Sequence, residues 1–139
     1  MPRAKGDVLN SDVKPAILIA DDNQFFREVF RDLLAAEGFD VECADDGGTA
    51  LAAIKRMPER RLLVLLDLVM PGIDGFQVIE TLRRDQALEN VRILVITGLR
   101  NRPEDRMRVS GPGVIGFLGK DVTPSAIVER VVSIAKAWA

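Results

Sequence analysis

The stretch LLVLLDLVMPGIDG, Leu62 to Gly75, decides the fold. Five apolar residues in a row, Leu62 to Leu66, read as a strand buried on both faces of a parallel sheet. Asp67 then stands at its carboxyl end, where open α/β sheets bind ligands. Pro71-Gly72 and Asp74-Gly75 supply turn punctuation beyond it, so the strand stops there and a loop begins. A carboxylate at that point reads as a site residue.

Outward from this stretch, strand and helix alternate. Ala16 to Ala20 (AILIA) is a short apolar strand running into Asp21-Asp22. Phe26, Val29, Phe30, Leu33 and Leu34 recur at helical spacing behind Asn23 as cap, and Gly38 stops that helix. Phe39 to Ala44 is a second strand, and Thr49 to Met57 a helix entered through Gly47-Gly48 and ended before Pro58. After the third strand, Leu62 to Asp67, a helix is expected from about Phe76 to Arg84, then a strand from Val91 to Thr97. A short helix, Pro103 to Ser110, closes at Gly111-Pro112-Gly113. Ile115 to Leu118 is a fifth strand leading to Lys120, and a last helix opens at Thr123-Pro124. Its buried stripe is Ile127, Val128, Val131, Val132 and Ala135.

This alternation with short connections predicts a doubly wound α/β fold with a five-stranded parallel sheet covered on both faces. Residues 1–15 carry charges, Pro and Gly without periodicity and are expected as a loose arm; residues 16–139 form the single domain. The chain's 139 residues, 47% of them hydrophobic, suffice for one core. A net charge of −2, from 19 basic and 21 acidic residues, favours neither nucleic acid nor an anionic membrane. No apolar stretch is long enough to cross a bilayer, and the N-terminus lacks a signal core, so a cytoplasmic domain is expected. The lone cysteine, Cys43, fits a reducing compartment and reads as a small buried hydrophobe. Histidine is absent, which excludes His-based triads, His metal sites and phosphohistidine carried by this chain itself.

The strand ends converge on one sheet edge. They deliver Asp21 and Asp22, Asp67, Thr97 and Lys120 to a common crevice. Carboxylate pairs about 4 Å apart cost on the order of 4 kcal/mol at an effective dielectric near 20. A hard divalent cation relieves that cost, and Mg²⁺ suits a half-hydrated site shared with a phosphoryl group. A hydroxyl from Thr97 and an ammonium from Lys120 complete a set suited to phosphoryl transfer.

On these residues the chain resembles the receiver domain of bacterial two-component response regulators. The matching pieces are ILIADDN at Ile17 to Asn23, LLDLVMPGIDGF at Leu65 to Phe76, ITG at Ile96 to Gly98 and FLGK at Phe117 to Lys120. The resemblance implies the flavodoxin-like strand order 2-1-3-4-5, an order known from a chemotaxis receiver. It implies that Asp67 is the phosphoacceptor, attacking a phosphohistidine on a partner histidine kinase or phosphotransfer protein. Asp21, Asp22, Asp67 and the backbone carbonyl of Val69 would hold Mg²⁺, and Thr97 and Lys120 would hold phosphoryl oxygens. Phe117 takes the aromatic switch position, moving with Thr97. The fourth helix, fifth strand and last helix would face a downstream protein, as a monomer or a phosphorylation-dependent homodimer. A free-standing signalling domain is expected rather than an enzyme; a receiver excised from a DNA-binding regulator or hybrid kinase is the alternative, and a phosphorylation-independent interaction module another. An aspartyl-phosphate phosphatase would need an acid two residues after the nucleophile, where Val69 stands.

The residues depart from the family pattern in places. Asp121 rather than proline follows Lys120, so a trans peptide is expected, since a cis bond there would cost about 3 kcal/mol. Val69 and Leu99 are apolar beside the phosphoryl site and are expected to obstruct water. Arginines at 100, 102, 106 and 108, interspersed with Glu104 and Asp105, read as a solvated face, and Trp138 as a cover for the last helix.

Overall fold

The computed structural model describes residues 14–98 and 102–138. Its elements run β1 (Ala16–Ala20), α1 (Gln24–Ala36), β2 (Val41–Ala44), α2 (Gly47–Lys55), β3 (Leu62–Leu66), α3 (Gly75–Arg84), β4 (Val91–Thr97), α4 (Pro103–Val109), β5 (Val114–Gly119) and α5 (Pro124–Ala137). The five strands form one parallel sheet in the order β2-β1-β3-β4-β5, as expected. Ile17 pairs with Val41 on one side and Leu63 on the other, and Leu63 with Arg92.

Alternation along these strands builds two cores. Ile17, Ile19, Leu63, Leu65, Leu94 and Ile96 face α1 and α5, packing with Phe30, Leu34, Ile127 and Val131. Leu18, Val64, Leu66, Ile93 and Val95 point the other way, against Ala50 and Ile54 of α2 and Phe76 and Ile79 of α3. All five residues of β3 are buried, which is why this strand carries no polar residue. Burying each such side chain contributes about 1.5–3 kcal/mol at most.

The helix entries show where local chemistry was legible. Asn23 caps α1 by accepting from the Phe26 amide, and Thr123 caps α5 by accepting from Ala126, with Pro124 in the first turn. Asp74 and Gln77 form a reciprocal capping box at α3, both bonds 2.9 Å. At α2 the expectation needs correction. Gly47 and Gly48 are the first helical residues, not the approach to the helix, because Asp46 accepts from the Thr49 amide at 2.7 Å and so becomes the cap. Gly47 is required for a packing reason: a Cβ there would sit 2.1 Å from the carbonyl oxygen of Ile73 in the β3–α3 loop.

The expected arm falls mostly on residues 1–13, outside the described residues, but Lys14 and Pro15 are not loose. Pro15 is buried, while Lys14 bonds the Glu37 carbonyl and lies 5.0 Å over the Phe39 ring. Leu99 and Arg100 also lie outside the described residues. No peptide bond among the described residues is cis, Lys120–Asp121 included.

Candidate functional site

The sheet's own hydrogen bonds deliver the polar residues to one place. The ladder continues one residue past the strands: the Asp21 amide donates to Ala44, the Asp67 amide to Ala20, and the Lys120 amide to Thr97. Asp21, Asp67, Thr97 and Lys120 are thereby fixed side by side by backbone they share with buried strands.

Asp67 is buried, 6% exposed, and both its oxygens are engaged. Oδ1 accepts from the Thr97 hydroxyl at 2.8 Å and from the Val69 amide at 3.1 Å; Oδ2 accepts from Lys120 Nζ at 3.0 Å. Asp21, 1% exposed, accepts through Oδ1 from the Asn23 amide at 2.9 Å. Its Oδ2 forms an ion pair with Lys120 Nζ at 2.7 Å and, among the described residues, has no hydrogen-bond donor besides that contact, so this buried oxygen has lone pairs to spare. Asp22, beside it, is exposed.

Burial sets the electrostatics. Desolvation pushes the Asp21 carboxyl above its ordinary value, and the Asp67 charge adds to that; Lys120 and the Asn23 amide only partly offset it. Burial pulls the Lys120 ammonium down, but Asp21 and Asp67 outweigh it, and its net shift is upward. One ammonium thus serves two buried carboxylates.

The donor set fits a hard divalent cation. Asp21, Asp22 and Asp67 each offer an oxygen, and these oxygens lie within 4.8 Å of one another. The spare lone pairs of Asp21 Oδ2 are what such an ion would complete.

Other parts of the expected constellation come together less simply. Phe117 is half-buried against the core on the α2–α3 side, with the Arg106 guanidinium 4.9 Å from its ring centroid. The arginine face is therefore not merely solvated. Arg108 stacks 4.0 Å over the Phe76 ring and reaches Glu80 at 3.5 Å, while Asp105 is buried, 3% exposed, with Arg102 at 3.3 Å. The described arginines are exposed, as charge alternation suggested, and α4 also lays Arg106 and Arg108 on aromatic rings from neighbouring elements. Trp138 covers the α5 side as expected, flanked by Arg92 at 4.5 Å and Arg61 at 5.7 Å. Cys43 is half-buried, with its thiol pushed up by burial.

Two residues of α1 at the site were not legible. Arg27 donates to the Asp21 carbonyl at 2.8 Å, and the Phe26 ring lies 4.6 Å from Lys120 Nζ. Phe26 fitted the helical apolar spacing, which signalled core and hid its second face.

A five-stranded 2-1-3-4-5 sheet carries acids, a hydroxyl and a lysine at its carboxyl edge, the place where open α/β sheets bind ligands. The family model for the response regulator receiver domain matches residues 17–132, and the chain belongs to that family. Chemotaxis protein CheY-3 of Vibrio cholerae is 33% identical over 125 residues, covering 89% of this chain and 92% of that one. Response regulator PleD of Caulobacter vibrioides is 35% identical over 121 residues, or 86% of this chain. The signal receiver domain of the putative response regulator NarL from Mycobacterium tuberculosis superposes with a TM-score of 0.74 at 35% identity, covering 88% of this chain and 97% of that one. The chain spans 26% of PleD and about half of several transcriptional regulators it also matches. Receiver domains take part in two-component signalling, contacting histidine kinases or phosphotransfer proteins and downstream targets, and they generally bind Mg²⁺. Among the described residues no helix is long and apolar enough to cross a membrane.

Proposed function

We propose that this chain is a stand-alone response regulator that accepts a phosphoryl group onto Asp67 from a phosphohistidine of a partner kinase or phosphotransfer protein. The carrying observation is the Asp67 carboxylate itself: buried, paired with Lys120 at 3.0 Å, and within 2.8 Å of the Thr97 hydroxyl. A carboxylate needs no general base to act as nucleophile. An Asp67 oxygen would form the new O–P bond as the P–N bond of the donor breaks, and the departing imidazole keeps that electron pair and takes up a proton. Lys120 would exchange one carboxylate contact for a phosphoryl oxygen, and Thr97 would turn its hydroxyl from Asp67 to another. Asp21, Asp22, Asp67 and the Val69 carbonyl would hold Mg²⁺, which supplies charge neutralisation at the phosphoryl oxygens.

Movement of Thr97 toward the phosphoryl group would open space for Phe117, whose ring packs between the sheet and Arg106. The signal would then pass to a partner protein through α4, β5 and α5 as a shift between two populated conformations, with the chain a monomer or a phosphorylation-dependent dimer. A second reading, in which the chain is the receiver part of a larger regulator, has the longer relatives in its favour; the size of the native protein on an immunoblot separates the two.

The test of the chemistry is intact-mass analysis after incubation with phosphoramidate and Mg²⁺. One phosphoryl unit, labile to hydroxylamine and absent from Asp67→Asn, is expected. An adduct that persists in Asp67→Asn, or no adduct on the wild type, sinks the assignment.

A further inference from the structure

We infer that Phe26 is a positioning residue for Lys120, holding the ammonium over the acidic site through its ring face. This rests on the phosphoryl-transfer reading and extends it to a residue outside the acid–hydroxyl–lysine set. Lys120 enters the site from the turn after β5 on a flexible four-carbon stem, anchored by its backbone bond to Thr97. The residue after it is Asp121 in an exposed turn, which gives the stem no rigid support. The contacts that aim its ammonium come from the side: Asp21 at 2.7 Å, Asp67 at 3.0 Å, and the Phe26 ring at 4.6 Å.

These three differ in what happens when chemistry occurs. Asp21 and Asp67 both have another claimant, a divalent cation for the first and the incoming phosphorus for the second. Among the described residues the ring face has no other cation over it. A cation above an aromatic quadrupole is attracted without a fixed hydrogen-bond direction, so Nζ can swing from carboxylate to phosphoryl oxygen while staying over the ring. Phe26 is itself immobilised. Its amide caps onto Asn23, and its ring leans on buried Phe30 with centroids 4.5 Å apart. The α1 first turn therefore carries a rigid apolar wall against the mobile end of Lys120.

The decisive comparison is Phe26→Leu, which keeps apolar volume and removes the ring, against Phe26→Tyr, which keeps the ring. In the metal-free protein, the Lys120 ε-methylene protons should resonate upfield of those of Lys55 and Lys136 through the ring current. That displacement should vanish in Phe26→Leu and persist in Phe26→Tyr. With phosphoramidate as a small donor, so that partner docking plays no part, Phe26→Leu should phosphorylate about two- to fivefold more slowly, the scale of one lost cation–π contact. Phe26→Tyr should keep the wild-type rate, and Mg²⁺ affinity should be unchanged in both. Equal rates for wild type and Phe26→Leu, an equal loss in both variants, or no ring-current displacement overturns the role of Phe26. A wild type that takes no phosphoryl group while showing the displacement overturns the functional reading instead, and with it the positioning role.

Discussion

Replacing Lys120 with methionine tests the electrostatic core of the site. The substitution keeps the length of the stem and removes the cation that sits 2.7 Å from Asp21 and 3.0 Å from Asp67. Both carboxylates are nearly inaccessible to water, so the loss leaves two uncompensated charges. Breaking a buried pair in this way costs about 3–5 kcal/mol. An independent bound comes from proton uptake. For Asp21, whose ordinary value is 3.8, the cost of its own uncompensated charge is no more than that of protonating it. At pH 7 that is about 3.2 units at about 1.36 kcal/mol each, or about 4.4 kcal/mol. A destabilisation of about 3–4 kcal/mol is therefore expected at pH 7, shrinking by about 1.4 kcal/mol per unit as pH falls toward 5. Mg²⁺ should recover much of it, about 2.7 kcal/mol at one hundred times its dissociation constant, because the ion would take over the charge. Urea unfolding followed through half-buried Trp138, at several pH values with and without Mg²⁺, reads all three effects. A loss under about 1 kcal/mol, or one indifferent to pH and Mg²⁺, refutes the reasoning. In the wild type the raised Lys120 value has its own sign. Its stabilising contribution is complete below the unfolded value of 10.5 and disappears as pH climbs through the higher folded value.

Asp21→Asn should stabilise the metal-free protein and weaken Mg²⁺ binding. Burial raises the folded Asp21 value above 3.8, so its ionisation opposes folding, and wild-type stability from this group rises as pH falls from the folded value toward 3.8. The exposed Asp22 should give a smaller effect in the same urea series. Val69→Asn replaces a 37% exposed apolar side chain beside Asp67 with one that can orient water, and should shorten the life of the phosphorylated form severalfold; an unchanged decay by mass analysis defeats the idea. Gly47→Ala drives a methyl to 2.1 Å from the Ile73 carbonyl and should cost about 1–3 kcal/mol by displacing the β3–α3 loop, seen as a lower urea midpoint.

The alternation of local apolar runs was enough to read five strands of a parallel sheet, while their 2-1-3-4-5 order came from the family resemblance. Each apolar run lies between turn residues, and β3 announced itself by having no polar residue among five. The same locality made Asn23 and Thr123 visible as helix starts, since a cap bonds an amide two or three residues away; Asp74 read only as a turn residue. Asp67, Thr97 and Lys120 were visible because strand ends must meet on one edge of a parallel sheet. Where local signals competed, sequence reasoning slipped by a residue or two, as at Gly47-Gly48, whose flexibility suggested a loop although Asp46 could already cap.

Only the folded chain decided what the long-range contacts are. Asp21 and Asp22 are neighbours of identical chemistry, yet one is buried beneath Lys120 and the other exposed, because the Asp21 amide still bonds Ala44 at the sheet edge while Asp22 lies in the bend beyond it. Phe26 meets Lys120 across most of the chain's length, Arg106 covers Phe117, and Arg108 covers Phe76. These pairings depend on how helices seat against the sheet, and no periodicity in one segment records the face of another. Asp105 sits in an exposed-looking charge run and ends buried for the same reason. Local pattern specifies which backbone forms; packing among distant side chains specifies which charges lose their water, Asp21 and Asp67 among them.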